Sequence, residues 1–164
     1  MKIAVYPGSF DPITLGHLNI IKRASRIFDK VYICVAVNSS KRPVFSLEER
    51  ADFVTRVTRK YGNVEVETFD GLLVDFAKSK GAGFIIKGLR AVSDFEYEFQ
   101  IALVNKKLAP EIETVFLTAD EKYTYLSSTV AREMAIYNAD LTNVIPREII
   151  GDVSKRLSKD NHNS

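Results

Sequence analysis

Near its start the chain reads Lys2-Ile3-Ala4-Val5-Tyr6-Pro7-Gly8-Ser9-Phe10-Asp11-Pro12-Ile13-Thr14-Leu15-Gly16-His17-Leu18-Asn19-Ile20-Ile21, and the changes of pattern inside this stretch decide the fold class. Residues 2–6 are a short β-rich run, the next residues are rich in Pro, Gly and hydroxyl side chains, and a helical pattern begins at Gly16. A strand that passes through a glycine-containing turn directly into a helix is the opening unit of a parallel α/β sheet. In such sheets ligands lie outside the carboxyl ends of the strands, where helix N-termini offer unpaired amides and partial positive charge to anions. Gly8 and Gly16 remove side chains where a phosphate approaches the backbone, and Ser9 and Thr14 supply hydroxyls. His17 falls in the first helical turn and shares a face with Thr14, so its ring points back toward such an anion. The plainer alternative is that Pro7 and Gly8 shape a loop while His17 caps or packs.

The alternation continues along the chain. Strands are expected at residues 2–6, 31–37, 64–69, 83–87 and 113–117, and helices at 16–28, 47–61, 72–80, 94–108, 128–137 and 147–157. This pattern predicts a doubly wound, Rossmann-like α/β sandwich with a five-stranded parallel sheet and helices on both faces, in one domain over 1–157 with a polar tail at 158–164. Ser46 with Glu49, and Ser93 with Glu96, have capping-box spacing, and Pro146 suits the first turn of the last helix. Phe95, Phe99, Ala102 and Leu103 recur at helical intervals and read as a core-facing stripe.

Composition narrows the functional classes. A chain of 164 residues can bury about two thirds of its unfolded surface without disulfide or metal staples. Its 23 basic and 21 acidic side chains leave a net charge of +2, too small for a nucleic-acid-binding face, so any anion site must be local. No apolar stretch reaches membrane-spanning length and no leader segment is recognisable, which points to a cytoplasmic protein. The single cysteine, Cys34, lies in an apolar run and reads as a small buried hydrophobe, while His162 sits in the polar tail and reads as solvated.

Three separated motifs carry a family resemblance. Pro7-Gly8-Ser9-Phe10-Asp11-Pro12 followed by Thr14-x-Gly16-His17 resembles the nucleotidyltransferases with a His-x-Gly-His or Thr-x-Gly-His signature. Lys87-Gly88-Leu89-Arg90-Ala91-Val92-Ser93-Asp94-Phe95-Glu96-Tyr97-Glu98 and Tyr123-Thr124-Tyr125-Leu126-Ser127-Ser128-Thr129 narrow it to the bacterial phosphopantetheine adenylyltransferases, over nearly the whole chain. The resemblance implies transfer of an adenylyl group from ATP to phosphopantetheine, magnesium entering with ATP, a homohexamer and feedback by coenzyme A. It assigns the acceptor to Ser9, Lys41, Lys87 and, through its backbone, Leu73. It assigns the nucleotide to Ser9, Phe10, His17, Gly88, Leu89, Arg90, Glu98, Tyr123, Thr124, Tyr125, Leu126, Ser127, Ser128 and Thr129, with His17 and Lys41 as the catalytic pair.

The chemistry suits these residue types. A phosphate monoester has a second pKa of about 6, so near neutrality it attacks without a general base, and positioning with electrostatic stabilisation suffices. A histidine donor aimed at the α-phosphoryl oxygens stabilises the transition state; the protonation state of His17 is open at this stage. Lys41 is otherwise a solvated loop cation, Ser127-Ser128-Thr129 equally an N-cap, Leu73 equally a core residue, and Asp11 equally a turn former or an indirect metal contact. Lysine at 87, where the family often has arginine, keeps the charge but loses the bidentate fork, and Leu126-Ser127-Ser128-Thr129 replaces a common Ile-Ser-Ser-Ser. Rival readings are a transferase for nicotinate mononucleotide or glycerol phosphate, a nucleotide sensor without turnover, and a fragment related to class I aminoacyl-tRNA synthetases.

Overall fold

The computed structural model describes residues 1–37, 42–90 and 92–159. In chain order the elements are β1 (Ile3–Gly8), α1 (Leu15–Ile27), β2 (Lys30–Ala36), α2 (Leu47–Thr58), β3 (Val64–Phe69), α3 (Leu73–Ser79), β4 (Phe84–Leu89), α4 (Val92–Leu108), β5 (Glu113–Thr118), a 3-10 turn (Glu121–Tyr123), α5 (Ser128–Ile136) and α6 (Arg147–Leu157). All five strands are parallel, in the order β3-β2-β1-β4-β5, so the expected doubly wound sheet is present.

Alternation along the strands splits the core between the two sheet faces. Ala4, Tyr6, Val31, Ile33 and Val35 face a large cluster with α1, α2, α5 and α6, including Ile20, Ile21, Val54, Ala131 and Ile149. Val5 and Cys34 face a smaller cluster built from Val74, Phe76, Ala77, Ala109 and Ile112. Burial there, with Glu67 adding to it, pushes the Cys34 thiol up to about 11.

The sheet opens where the strand order reverses. Pairing between β1 and β4 is confined to Ala4–Phe84 and Val5–Ile85, whereas β1 stays paired to β2 as far as Gly8–Val35 and β4 to β5 as far as Leu89–Thr118. Pro7, which has no N–H to offer a neighbour, lies just beyond the last β1–β4 pair. The crevice at this switch point lies between the turn that follows β1 and the segment that follows β4.

Most boundary differences have a local cause. β1 runs two residues past the expected Tyr6 because its ladder with β2 continues, and α2 stops at Thr58 because Tyr61 turns back to bond the Thr58 carbonyl. The Ser46–Glu49 capping box is present on α2. The side chain of Ser93 is outside the described residues, and so is its expected capping box; α4 begins at Val92, two residues before the expected start.

The core stripe on α4 is a correction. Phe95, Phe99 and Leu103 are 42%, 46% and 56% exposed, and Tyr97, Val104 and Leu108 are exposed with them. The apolar side chains of α4 surround the helix instead of keeping to one face, so the sheet cannot cover them all. Phe95 stacks on Phe99 and meets Phe116 edge-on, at 5.5 and 5.7 Å between ring centres.

Candidate active site

Thr14 and His17 form a capping box in which histidine stands where glutamate or glutamine is usual. The His17 amide donates to Thr14 Oγ1 at 3.3 Å, and the Thr14 amide donates to His17 Nδ1 at 3.0 Å. An amide donor at Nδ1 requires that nitrogen to be the acceptor, so the ring proton sits on Nε2. Burial lowers the His17 pKa to about 4, with the nearby Arg90 charge acting in the same direction, and the ring is therefore neutral at physiological pH. The Phe10 ring meets that of His17 edge-on, with centres 5.1 Å apart, and fixes it from the core side. Capping and presentation of a donor are thus both performed by His17.

Phe10 has a left-handed backbone, φ 48°, and a side chain only 1% exposed. Its ring lies against Gly8, where an added Cβ would stand 2.8 Å from the ring. Gly8 therefore makes room for the Phe10 ring, and both residues line the cavity described next.

A cavity of about 460 Å³ opens at the switch point, within the size range of small-molecule sites. It gathers Ser9, Phe10, His17, Lys87, Gly88, Arg90, Glu98, Leu126, Ser127, Ser128 and Thr129 from the residues expected on sequence. Lys87 Nζ lies 3.3 Å from Glu98 Oε2, a buried oxygen with no hydrogen-bond partner, so the ion pair is what compensates that charge. Arg90 Nη1 donates to the Leu126 carbonyl at 3.1 Å, joining the ends of β4 and the segment before α5. Behind them Tyr6 is buried, which raises its hydroxyl pKa; Arg90 opposes the rise and Glu98 adds to it.

The hydroxyls before α5 are engaged within the protein. Ser127 caps α5 by accepting from the Val130 amide at 3.1 Å, Ser128 donates to the Pro12 carbonyl at 2.8 Å, and Thr129 accepts from Arg132 at 3.2 Å. What the helix N-terminus offers a phosphate is first of all its unpaired amides.

Leu73 and Leu89 are partly buried and do not line this cavity, nor do Tyr123, Thr124 and Tyr125. Leu73 packs against the smaller core cluster, and Tyr123 against the larger one. Lys41 lies outside the described residues. The lining also includes residues not picked out on sequence: Arg42, Arg50 and Arg132. Arg132 had a readable signal, since it follows Thr129 by three residues on the same helix and so shares its face. Asp11 also lines the cavity, and its carboxylate accepts from the Val44 and Phe45 amides, each at 3.0 Å. Among the described residues no three His, Cys, Asp or Glu side chains converge as a metal site, and no helix is long and apolar enough to cross a membrane.

Comparison with known proteins agrees with this geometry. The cytidylyltransferase-like family profile matches residues 5–134. A phosphopantetheine adenylyltransferase of Clostridium botulinum is 54% identical over 158 residues, covering 96% of each chain, and that of Clostridium perfringens is 50% identical over the same share. Among solved structures, a Plasmodium falciparum nicotinic acid mononucleotide adenylyltransferase complexed with NaAD superposes with a TM-score of 0.71, covering 94% of this chain and 95% of its own; at 14% identity it speaks to the fold alone. The chain is an adenylyltransferase of the cytidylyltransferase-like nucleotidyltransferases and belongs, within them, to the phosphopantetheine adenylyltransferase family.

Proposed function

We propose that this chain reversibly transfers the adenylyl group of ATP to phosphopantetheine, giving dephospho-coenzyme A and pyrophosphate, a step of coenzyme A synthesis. The observation that carries the mechanism is the state of His17: with Nδ1 committed to the Thr14 amide and the ring neutral, its one free polar group is the Nε2–H donor at the cavity. The acceptor phosphate, largely a dianion near neutrality, attacks the α-phosphorus in line; its oxygen forms the new bond as the bond to the pyrophosphate oxygen breaks. Nε2–H donates to the α-phosphoryl oxygens, where charge accumulates in the transition state, and no base is called for. Lys87 and Ser9 are proposed to receive the acceptor phosphate together with Lys41. Arg90, Gly88, Glu98 and the amides at the start of α5 receive the nucleotide. Leu73, Leu89 and Tyr123 to Tyr125 are proposed to contribute through their backbones at the margins.

Magnesium is proposed to enter with the triphosphate, and when bound would supply charge neutralisation to it. The residues fit a substrate-borne ion: the Asp11 carboxylate, the nearest candidate ligand in the turn, is already held by two amides. The exposed apolar girdle of α4 supports assembly of copies of the chain, proposed here as a homohexamer. Coenzyme A shares the phosphopantetheine and adenylate portions of the product and is proposed to occupy the same cavity as a feedback inhibitor. A cytoplasmic location follows from this role.

The test is pyrophosphate release from ATP and magnesium with phosphopantetheine, and with nicotinate mononucleotide as the competing acceptor. Release is expected with phosphopantetheine alone. Release only with the mononucleotide would reassign the acceptor, and none with either would leave a nucleotide-binding protein.

A further inference from the structure

Two buried charges beside the catalytic turn have no direct part in the mechanism above. Asp11 is 6% exposed and Arg50 only 4%. Arg50 has no carboxylate partner within ion-pair distance among the described residues; its Nη1 donates to the Ser9 carbonyl at 2.7 Å and to the Ala36 carbonyl at 3.1 Å, and its Nε to the Phe45 carbonyl at 3.2 Å. Asp11 Oδ1 and Oδ2 take the Phe45 and Val44 amides, while Arg132 lies 3.7 Å from Oδ2 and donates to the Asp11 carbonyl at 2.6 Å. Phe45 is therefore gripped at both its N–H and its C=O by charged side chains from different parts of the chain.

Burying an arginine with no carboxylate in ion-pair contact is a poor way to stabilise a fold, because its desolvation is offset by hydrogen bonds to neutral carbonyls and only at longer range by the charges of Asp11 and Glu48. The arrangement does give geometric definition. Arg50 joins the residue after β1, the end of β2 and the residues before α2 through one planar fork, and Ser9 and Arg50 itself line the cavity.

We propose that Asp11 and Arg50 are positioning residues that clamp the segment preceding α2 to the β1–α1 turn, and that this clamp sets the affinity for the acceptor phosphate. It rests on the reading of Ser9 as an acceptor contact: Arg50 holds the Ser9 carbonyl and so fixes the presentation of its N–H and hydroxyl. Arg42 and Pro43, which also line the cavity, lie immediately upstream of the clamped Val44 and Phe45. The hydrogen bonds of Arg50 go to none of the residues of β4 or α5, which build the nucleotide side; Asp11 meets α5 through Arg132, whose hydrogen bond is to the Asp11 carbonyl, a contact that Asp11→Asn keeps.

Steady-state kinetics of Arg50→Lys and Asp11→Asn, with each substrate varied in turn, tests this. Both variants are expected to raise the KM for phosphopantetheine about tenfold or more while changing the KM for ATP less than about twofold. Parallel loss for both substrates, a fall in kcat alone, or no change overturns the inference. Hydrogen exchange on the wild type needs no variant: the Val44 and Phe45 amides are expected to be protected, and more so with phosphopantetheine but not with ATP. Rapid exchange, or a response to ATP alone, overturns it. A wild type that exchanges as expected but transfers nothing to phosphopantetheine would instead refute the assigned reaction.

Discussion

At the scale of single residues, His17 combines two duties that ordinarily compete. Its Nδ1 completes the cap of α1, which leaves Nε2–H as the donor proposed to meet substrate. His17→Ala is expected to lower kcat about 100- to 1000-fold with little change in ATP affinity, as measured by single-turnover kinetics and titration. A fall in ATP affinity equal to that in kcat would make His17 a binding residue only. The folded-state pKa of about 4 lies below the unfolded value of 6.5, so the neutral ring contributes stability that is complete above pH 6.5 and is lost as pH falls toward 4. Denaturation curves at about pH 7 and about pH 4.5 should show this loss in the wild type and less of it in His17→Gln, which keeps an acceptor for the Thr14 amide and cannot gain the charge. The histidine and its helix were readable from Thr14-Leu15-Gly16-His17. Its protonation was not, because opposing influences of helix terminus, phosphate and burial are weighed only once the ring has neighbours.

At the scale of elements, the first βα unit is set by steric fit as much as by capping. Gly8→Ala would drive a Cβ into the Phe10 ring at 2.8 Å, and since that ring backs His17, the substitution should cost about 1–3 kcal/mol in urea denaturation and reduce kcat as well. An unchanged kcat in a destabilised protein would disconnect Phe10 from catalysis. Thr14→Ala, which removes the cap hydroxyl, should cost about 1 kcal/mol. The capping signal was legible at Ser46 because a cap is satisfied within one turn of sequence and glutamate stands three residues on; at Thr14 histidine holds that position, and the threonine was legible only as a hydroxyl. The role of Gly8 was not legible, since the residue it accommodates is placed by the left-handed turn at Phe10.

At the scale of the whole molecule, the switch point between β1 and β4 makes one cavity out of motifs well separated along the chain, and α4 leaves an exposed apolar girdle, the surface proposed for assembly. Leu103→Glu, at a position 56% exposed, should reduce the proposed hexamer to smaller species in light scattering while leaving the fold intact by circular dichroism. An unchanged mass would exclude that face from the interface. The residues alone determined the α/β alternation, the strand–turn–helix unit around Pro7 to His17 and, through three motifs, the family, because periodicity and turn chemistry act over a few neighbours. Only the tertiary structure decided which cations line the cavity, that Asp11 and Arg50 grip Phe45, and that the stripe on α4 faces outward. Asp11 meets the Val44 and Phe45 amides across 33 and 34 residues, and Arg50 meets Ser9 across 41. Contacts at such separations, and the covering of a helix by its surroundings, depend on how elements pack, which no local pattern encodes.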